Sequence, residues 1–232
     1  MMNQQQLRMK TPLQQEAPRR KQTRVFCIGE SMHCLPTTHA TEQLKYPAVL
    51  QNIISKAVSD KVTIQTLYMN DLSLYNVCQA FGERSTLLDR MAQTENPVLI
   101  PLVGLREVRM GLKNDAIVDA ILYIHRSAHM RNIRTLLMLL PENEATCPPQ
   151  FVVIAREVNL KLMIWAENSD MVDVVTCPFE NVNPRDENRK KWLADHEGDI
   201  LASKFAPFIA KCANAGTIYA PQPPTTLPTT AM

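Results

Sequence analysis

Val25-Phe26-Cys27-Ile28-Gly29-Glu30-Ser31-Met32 is the stretch on which the interpretation of the whole chain depends. A short apolar run that is bounded by charge before it and by polar residues after it is typical of a buried strand. Gly29 permits a tight turn at the end of this strand, because glycine has no side chain to restrict its backbone. Ser31 would then lie at the carboxyl end of the strand, the edge at which open α/β sheets bind their ligands.

Size and composition favour one intracellular domain. The 232 residues, 45% of them hydrophobic, are enough for a single α/β domain with a sizeable core. A net charge of +2 and a pI near 8.2 are mildly basic and do not by themselves indicate nucleic acid. The six cysteines form no CxxC pair, which predicts reduced thiols rather than disulfides or a zinc site. Without a secretory signal or an apolar run of membrane length, we expect a cytoplasmic protein with no membrane contact.

The order of apolar and polar segments predicts one folded domain between two unstructured ends. We expect a disordered basic arm over residues 1–23, an α/β domain over 24–214 and a disordered Pro/Thr-rich tail over 215–232. After the first strand, β-branched and apolar runs predict strands at 61–68, 97–104, 132–141 and 160–165. Helical periodicity between them predicts helices from about residue 46 and at 74–92, 114–128, 148–158 and 190–212. This alternation predicts a three-layer α/β/α sandwich with a mostly parallel five-stranded sheet.

His125 and His129 are the one pair that suggests a metal. They are four residues apart on a predicted helix and therefore share a face. No HExxH pattern and no third ligand accompanies them, so we expect no metal site. The sequence also lacks GxGxxG and GxxxxGK[ST], and we expect no nucleotide cofactor.

Four motifs, taken in order, resemble the SGNH, or GDSL, hydrolase superfamily over most of residues 24–212. Residues 29–31 (Gly-Glu-Ser) are similar to the Gly-Asp-Ser of the family's first block, and residues 46–50 to the start of its first helix. Residues 104–107 (Gly-Leu-Arg-Glu) are similar to its Gly-x-Asn-Asp, and residues 197–209 to its last block and final helix. The resemblance implies a serine nucleophile, a histidine base with an aspartate three residues before it, and an oxyanion site built from a glycine NH and an asparagine.

The sequence departs from this pattern at the positions that carry the chemistry. Arg106 occupies the asparagine position. If Gly198 matches the last-block glycine, Leu193 stands in place of the histidine and Lys190 in place of the aspartate. A leucine cannot accept a proton and a lysine cannot orient an imidazolium. On this alignment the chain is predicted to be a pseudoenzyme.

A second alignment keeps the esterase chemistry open. A shift of three residues places His196 at the position of the base, so an acyl hydrolase would use Ser31 and His196. Its aspartate position would then be Leu193, which cannot serve. Asp195 adjoins His196, and adjacent side chains point in different directions, which argues against a complete triad from these residues.

Basic residues near the former site predict anion binding instead. Guanidinium and ammonium groups suit phosphate oxygens, so an anion is the predicted ligand, and solvated surface charges are the alternative interpretation. The candidate RNA-binding residues are Arg106, Arg109, Arg126, Arg131, Arg134, Arg189, Lys190 and Lys191.

A degenerate domain of this kind resembles the C-terminal (OSK) domain of Oskar, the insect germ-plasm organiser, which has an SGNH-like fold without the hydrolase residues and binds RNA. That resemblance implies single-stranded regions of mRNA, such as 3′ untranslated regions, and germ-plasm proteins as partners. It also implies a place in cytoplasmic ribonucleoprotein granules. A protein-interaction scaffold that has kept only the fold is the remaining alternative.

Overall fold

The computed structural model describes residues 22–29, 46–57, 62–67, 73–142, 149–178 and 187–215, with the side chains of the final helix described over 195–214. Within these ranges the chain forms five strands and seven helices. The strands are β1 (Thr23–Gly29), β2 (Val62–Thr66), β3 (Pro97–Leu102), β4 (Arg134–Met138) and β5 (Val172–Val175). The helices are α1 (Tyr46–Ala57), α2 (Leu74–Phe81), α3 (Thr86–Ala92), α4 (Leu105–Arg109), α5 (Asn114–His129), α6 (Pro149–Ala166) and α7 (Glu187–Ala215).

All five strands pair in parallel, in the order β2-β1-β3-β4-β5. On one side of the sheet α1 packs against α7, and a second group is formed by α2, α5 and α6. The predicted α/β class with a mostly parallel five-stranded sheet is confirmed. After β2 has been added on one side of β1, the chain returns to place β3 on the other side, so the direction of strand addition reverses between β1 and β3. In open α/β sheets, ligands bind at such a reversal.

Continuous burial explains why β1 and β3 form the middle of the sheet. Every residue of β3 is buried, and so are all residues of β1 except Arg24. Such runs are typical of parallel strands, which are covered by helices on both faces. Pro101 lies inside β3, where a proline cannot donate to the sheet. The pairing of β3 with β4 covers only Val98 and Leu99, so the missing NH of Pro101 leaves that ladder intact.

The predicted strand at residues 160–165 is wrong, because this segment forms the last turns of α6. The edge strand β5 follows it at Val172–Val175. α6 is apolar on both faces: Val158 and Leu162 are buried, whereas Leu160 and Ile164 are exposed. A continuous apolar run does not reveal by its periodicity whether it is a strand or a helix.

The remaining boundaries follow local signals. The helix predicted over 74–92 is divided at Gly82, where a Cβ would lie 2.7 Å from the hydroxyl of Tyr123. The predicted arm and tail lie almost entirely outside the described residues, although Thr23, assigned to the arm, is buried at the start of β1. No helix within the described ranges has the length and apolar character needed to cross a membrane.

Candidate active site

The carboxyl ends of β1 and β3 approach each other closely through two glycines. Gly29 has φ +145°, and a Cβ at this position would lie only 2.1 Å from the carbonyl oxygen of Leu102. Gly104 follows β3 with φ +103°, and a Cβ there would lie 2.9 Å from the Cδ1 of Ile121. These backbone conformations are readily accessible only to glycine. The two strands therefore end side by side at the edge where the order of the sheet reverses.

The buried carboxylate of Glu107 links α4, which follows β3, to α2, which follows β2. Glu107 lies in α4, just after β3, and only 4% of its surface is exposed. Its Oε1 accepts a hydrogen bond of 2.9 Å from the backbone N–H of Leu74, the first residue of α2. Its Oε2 is buried without a hydrogen-bond partner among the described residues. β2 and β3 lie on either side of β1. This bond therefore connects the segment after β2 to the segment after β3.

The final helix runs antiparallel to the strands. Asn96, the residue before β3, donates through its Nδ2 to Thr23 Oγ1 at 2.7 Å and to the carbonyl of Cys212 at 2.9 Å. The last turns of α7 thus lie at the amino edge of the sheet. His196 precedes Cys212 by sixteen residues, which in a helix is about 24 Å. β1 extends over about 20 Å, so His196 lies level with the carboxyl edge.

A buried cluster packs α7 against β1 nine residues after His196, which is about 13 Å further along the helix. The ring of Tyr46, the first residue of α1, packs edge-on against Phe205 of α7, with centroids 5.2 Å apart. The pKa of Tyr46 is raised by burial, and further by the neighbouring Cys27 and the carboxylate of Glu197. Burial raises the pKa of the Cys27 thiol to about 12, an increase that the neighbouring Tyr46 hydroxyl partly offsets. The charge of Glu197, the residue after His196, therefore reaches Tyr46, which neighbours the strand position two residues before Gly29.

His196 opens onto a groove on the surface of α7. The groove has a volume of about 630 Å³, and its described lining residues are His196, Asp199, Ile200, Ser203, Lys204 and Pro207. His196, Asp199 and Ser203 share one helix face because they are three and four residues apart. Asp195 is exposed while His196 is half-buried, in line with the prediction that these two neighbours point in different directions.

Asp199 is a candidate acidic residue that the family order does not indicate. In that order the aspartate comes three residues before the histidine. On a helix, a carboxylate three residues after the histidine lies on the same face equally well. The helical periodicity of this segment could have identified it.

The candidate residues of the sequence analysis fall into separate groups. Ser31 lies outside the described residues, as do the side chains of Arg189, Lys190 and Lys191. Arg106 is exposed and Arg109 half-buried in α4, at the carboxyl edge of the sheet.

The other three arginines lie at the amino edge, where α5 ends and β4 begins. Arg126 is exposed, but Arg131 donates from Nε to Asp89 at 2.7 Å, and Arg134 pairs with Asp173 at 3.4 Å. The described candidates for RNA contact therefore do not converge on one surface.

The two histidines of α5 also lie near the amino edge, away from the carboxyl edge where the candidate site is. His125 Nδ1 and His129 Nε2 both hydrogen bond to the hydroxyl of Thr135, at 2.7 and 2.8 Å. Within the part of the chain that the structure describes, no group of three or more potential ligands is placed to hold a metal ion.

No protein-family profile and no curated protein matches the sequence, but solved structures match the fold. A psychrotrophic esterase, EstA from Pseudoalteromonas sp., in a structure inhibited by monoethylphosphonate, superposes with a TM-score of 0.56 at 11% identity, covering 80% of this chain and 98% of that one. A carbohydrate esterase family 3 protein from Talaromyces cellulolyticus gives 0.54 at 13%, covering 83% and 98%. A lipolytic protein of the G-D-S-L family from Veillonella parvula gives 0.51 at 12%, covering 80% and 97%. The chain has an SGNH hydrolase fold.

This SGNH fold corrects the prediction that the chain is not an enzyme. That prediction depended on Leu193 and Lys190 at the positions of the family's base and acid. It is contradicted by the structures that share the fold, which are described as esterases and lipolytic proteins. Nothing in these similarities supports the resemblance to Oskar or a place in germ plasm. At this level of identity the likeness establishes the SGNH fold and leaves the residues of the reaction to be argued from this chain.

Proposed function

We propose that this chain is a serine ester hydrolase of the SGNH type, with Ser31 as the nucleophile and His196 as the general base. The observation that supports the proposal is the level of His196 on α7: Phe205 of this helix packs against Tyr46 beside Cys27 of β1, and the charge of Glu197, the residue after His196, reaches Tyr46. Ser31 follows Gly29 by two residues. Two residues of extended chain span at most about 7 Å, so the serine belongs to the same edge of the sheet.

The proposed reaction needs groups that these positions supply. His196 takes the proton of Ser31 while the hydroxyl oxygen attacks the ester carbonyl carbon. The tetrahedral intermediate then expels the alcohol, to which His196 returns the proton. Water, activated by His196, releases the acid from the acyl-enzyme. The carboxylate of Asp199, one turn further along the same face, would stabilise the imidazolium that forms in both steps.

In this proposal, Arg106 stabilises the oxyanion that develops during these steps. It is exposed in α4, at the position where the family pattern has an asparagine. A guanidinium presents several N–H donors and a permanent positive charge, and both favour a developing negative oxygen. In this proposal Arg106 takes over the role of the asparagine, so its presence is compatible with hydrolysis.

The groove suits a small substrate. A volume of about 630 Å³ lies within the usual range for small-molecule sites. Ile200 and Pro207 offer it an apolar wall, and Lys204 contributes a positive charge. We propose an ester with a short acyl chain, which leaves room for the alcohol.

Hydrolysis of p-nitrophenyl acetate by the full chain tests this proposal. We expect Ser31→Ala and His196→Ala each to lower kcat by about 10³-fold or more, because groups of a catalytic triad act as a unit. Asp199→Asn should lower it less. Asp195→Asn is the matched control and should leave the rate unchanged, since Asp195 is exposed beside His196. Equal rates for the original chain and Ser31→Ala would refute the proposal.

Covalent labelling provides a second readout that does not depend on the choice of ester. A fluorophosphonate reacts with an activated serine, so mass spectrometry should find the adduct on the peptide that contains Ser31. The label should be absent from His196→Ala as well as from Ser31→Ala. Labelling of other serines alone would contradict the assignment of the nucleophile.

RNA binding is independent of this reaction and stays a prediction. Phosphate contacts would give an affinity for single-stranded RNA that falls steeply with salt. Exchange of Arg189, Lys190 and Lys191 for glutamate should abolish that binding. If the chain hydrolyses esters but shows no micromolar binding to RNA at low salt, the predicted RNA and germ-plasm partners are eliminated.

A further inference from the structure

α6 exposes a row of large aliphatic side chains. The exposed fractions are 55% for Val153, 58% for Leu160, 41% for Met163 and 55% for Ile164. Single exposed apolar residues are common on protein surfaces, whereas contiguous exposed apolar patches mark sites of interaction. Burial of such surface favours association.

The spacing of three of these residues places them on one face, from which Met163 is displaced by about 80° around the helix. Val153, Leu160 and Ile164 are separated by seven and four residues, so they lie within about 40° of one another around the helix axis. We call this row the α6 stripe; it is about 16 Å long. The opposite face, with Ala155, Val158 and Leu162, is buried in the domain. The stripe is thus additional to the contacts that hold α6 in the fold.

Two charged residues border the stripe on the same side. Glu157 and Lys161 lie about 40° and 80° around the helix from Val153, and both are exposed. When two identical helices pack antiparallel about a two-fold axis, each flank meets the same flank of the other copy, running in the opposite direction. An axis near residue 159 then brings Glu157 of each copy to Lys161 of the other. The same axis places Leu160 near the centre of the interface. It also places Val153 of one copy opposite the end of α6 in the other copy that carries Ile164.

Contacts within the chain leave this charge pairing possible. The Nζ of Lys161 binds Asp115, and the carboxylate of Glu157 binds the side chain of Asn114. An ammonium group has three donors and a carboxylate about four acceptor sites, so each retains capacity for a partner. These contacts also hold both side chains beside the stripe, which lowers the entropy lost on association.

We propose that the α6 stripe is a two-fold interface at which a second copy of this chain binds. Its self-complementary charges favour a copy of the same helix over an unrelated partner. One helix pair falls at the small end of protein interfaces, so the dimer should dissociate on dilution. This proposal does not depend on hydrolysis, and its test measures association.

Sedimentation of the full chain over a range of concentrations tests the interface. We expect a monomer–dimer equilibrium that Leu160→Asp and Ile164→Asp each weaken by about tenfold or more, because the change places a charge at the centre of the contact. Met130→Asp is the matched control: Met130 is 62% exposed but lies outside α6, and its exchange should leave the equilibrium unchanged. A chain that stays monomeric at every concentration overturns the proposal. So does a dimer that Leu160→Asp leaves intact.

A charge exchange identifies the predicted pairing directly. Glu157→Lys alone and Lys161→Glu alone should each weaken the dimer, because like charges then face each other across the axis. The double variant restores opposite charges and should return the dissociation constant to within a few-fold of the original. Circular dichroism establishes that each variant is folded. A double variant that dimerises as weakly as the single variants would overturn the antiparallel pairing. Crosslinks from residue 160 to the termini of the same chain would also overturn it.

Discussion

The two edges of the sheet are held together by different means. At the carboxyl edge, β1 and β3 approach through backbone, with Gly29 against Leu102. At the amino edge, the side chain of Asn96 joins the start of β1 to the end of α7. An edge shaped by backbone leaves space for a ligand, whereas an edge tied by side chains fixes distant parts of the chain. The comparison predicts that almost no volume can be added between β1 and β3 at the carboxyl edge. It also predicts that the amino edge loses stability when hydrogen bonds are removed.

The largest effect is expected at the carboxyl edge. Gly29→Ala adds a Cβ that would lie 2.1 Å from the carbonyl oxygen of Leu102, and backbone cannot move aside as a side chain would. The residue also has φ +145°, a conformation that alanine rarely adopts. Strain and overpacking together should lower the free energy of unfolding by about 4 kcal/mol or more. Urea denaturation followed by circular dichroism measures it.

Gly111→Ala separates the two contributions to the loss of stability, the close approach of the strands and the backbone conformation of the glycine. Gly111 is exposed with φ +69°, and the nearest neighbour of a Cβ there would be the ring of Phe151 at 3.0 Å, a side chain that can shift. The expected cost is about 1 kcal/mol, from the conformation alone. If both glycine variants lose similar stability, the contrast between the edges does not lie in the approach of β1 to β3.

The centre of this fold was predictable from the sequence, because a strand that is buried on both faces shows as a continuous run of apolar residues. β1 contains the apolar run Val25–Ile28 and ends in Gly29, and β3 is apolar and followed closely by Gly104, so their position and their edge were recognisable. α6 is also apolar on both faces, and there the same pattern gave a strand at 160–165 where the chain is helical. One of its apolar faces is exposed, which no periodicity can reveal because exposure depends on the tertiary neighbours.

The candidate site was predictable only in part. The motif at residues 29–31 suggested Ser31, and a shifted alignment suggested His196; both stay predictions. The packing of α7 on β1 depends on Phe205, Tyr46 and Cys27, which are far apart in sequence. Likewise, Arg131 and Arg134 were candidates for RNA because their partners Asp89 and Asp173 lie some forty residues away. Long-range pairs of this kind are fixed by the fold and leave no local signal.

At the amino edge, Asn96→Ala is expected to have the second-largest effect. The exchange removes hydrogen bonds to Thr23 and to the carbonyl of Cys212, and replaces an asparagine that has φ +42°. We expect a loss of about 3 kcal/mol in the free energy of unfolding, from two unpaired groups and a strained backbone. Denaturation midpoints measure the loss. Esterase activity of the folded fraction should not change, because the carboxyl edge is untouched.

Asn132→Ala is the matched control for Asn96. Asn132 has φ +58° and an exposed side chain. Its exchange carries the backbone cost without the two bonds and should lower stability by about 1 kcal/mol. Should the two asparagine variants prove equal, the side-chain contacts of Asn96 would not be what holds the amino edge.

The smallest expected effect concerns the buried histidines behind β4. Thr135 has one hydroxyl proton, so it donates to one of His125 Nδ1 and His129 Nε2 and accepts from the other. This arrangement requires the ring that accepts from Thr135 to be neutral. Burial, and then the neighbouring His129, lower the pKa of His125 to about 3. Burial and Arg134 lower that of His129 to about 4, against an opposing effect of Asp170.

These shifts give the amino edge a pH dependence with a definite sign. The unfolded chain binds protons at both histidines below about pH 6.5, whereas the folded chain does so only near pH 3 to 4. Stability is therefore complete above pH 6.5 and falls as the pH decreases, for His125 by about 2 kcal/mol between pH 7 and pH 5. His129 adds less because it is partly exposed. His125→Asn keeps a polar partner for Thr135 and removes one titration, so unfolding free energies measured from pH 7 to pH 5 should fall less steeply. An unchanged slope would mean that other groups at this edge set the acid sensitivity of the fold.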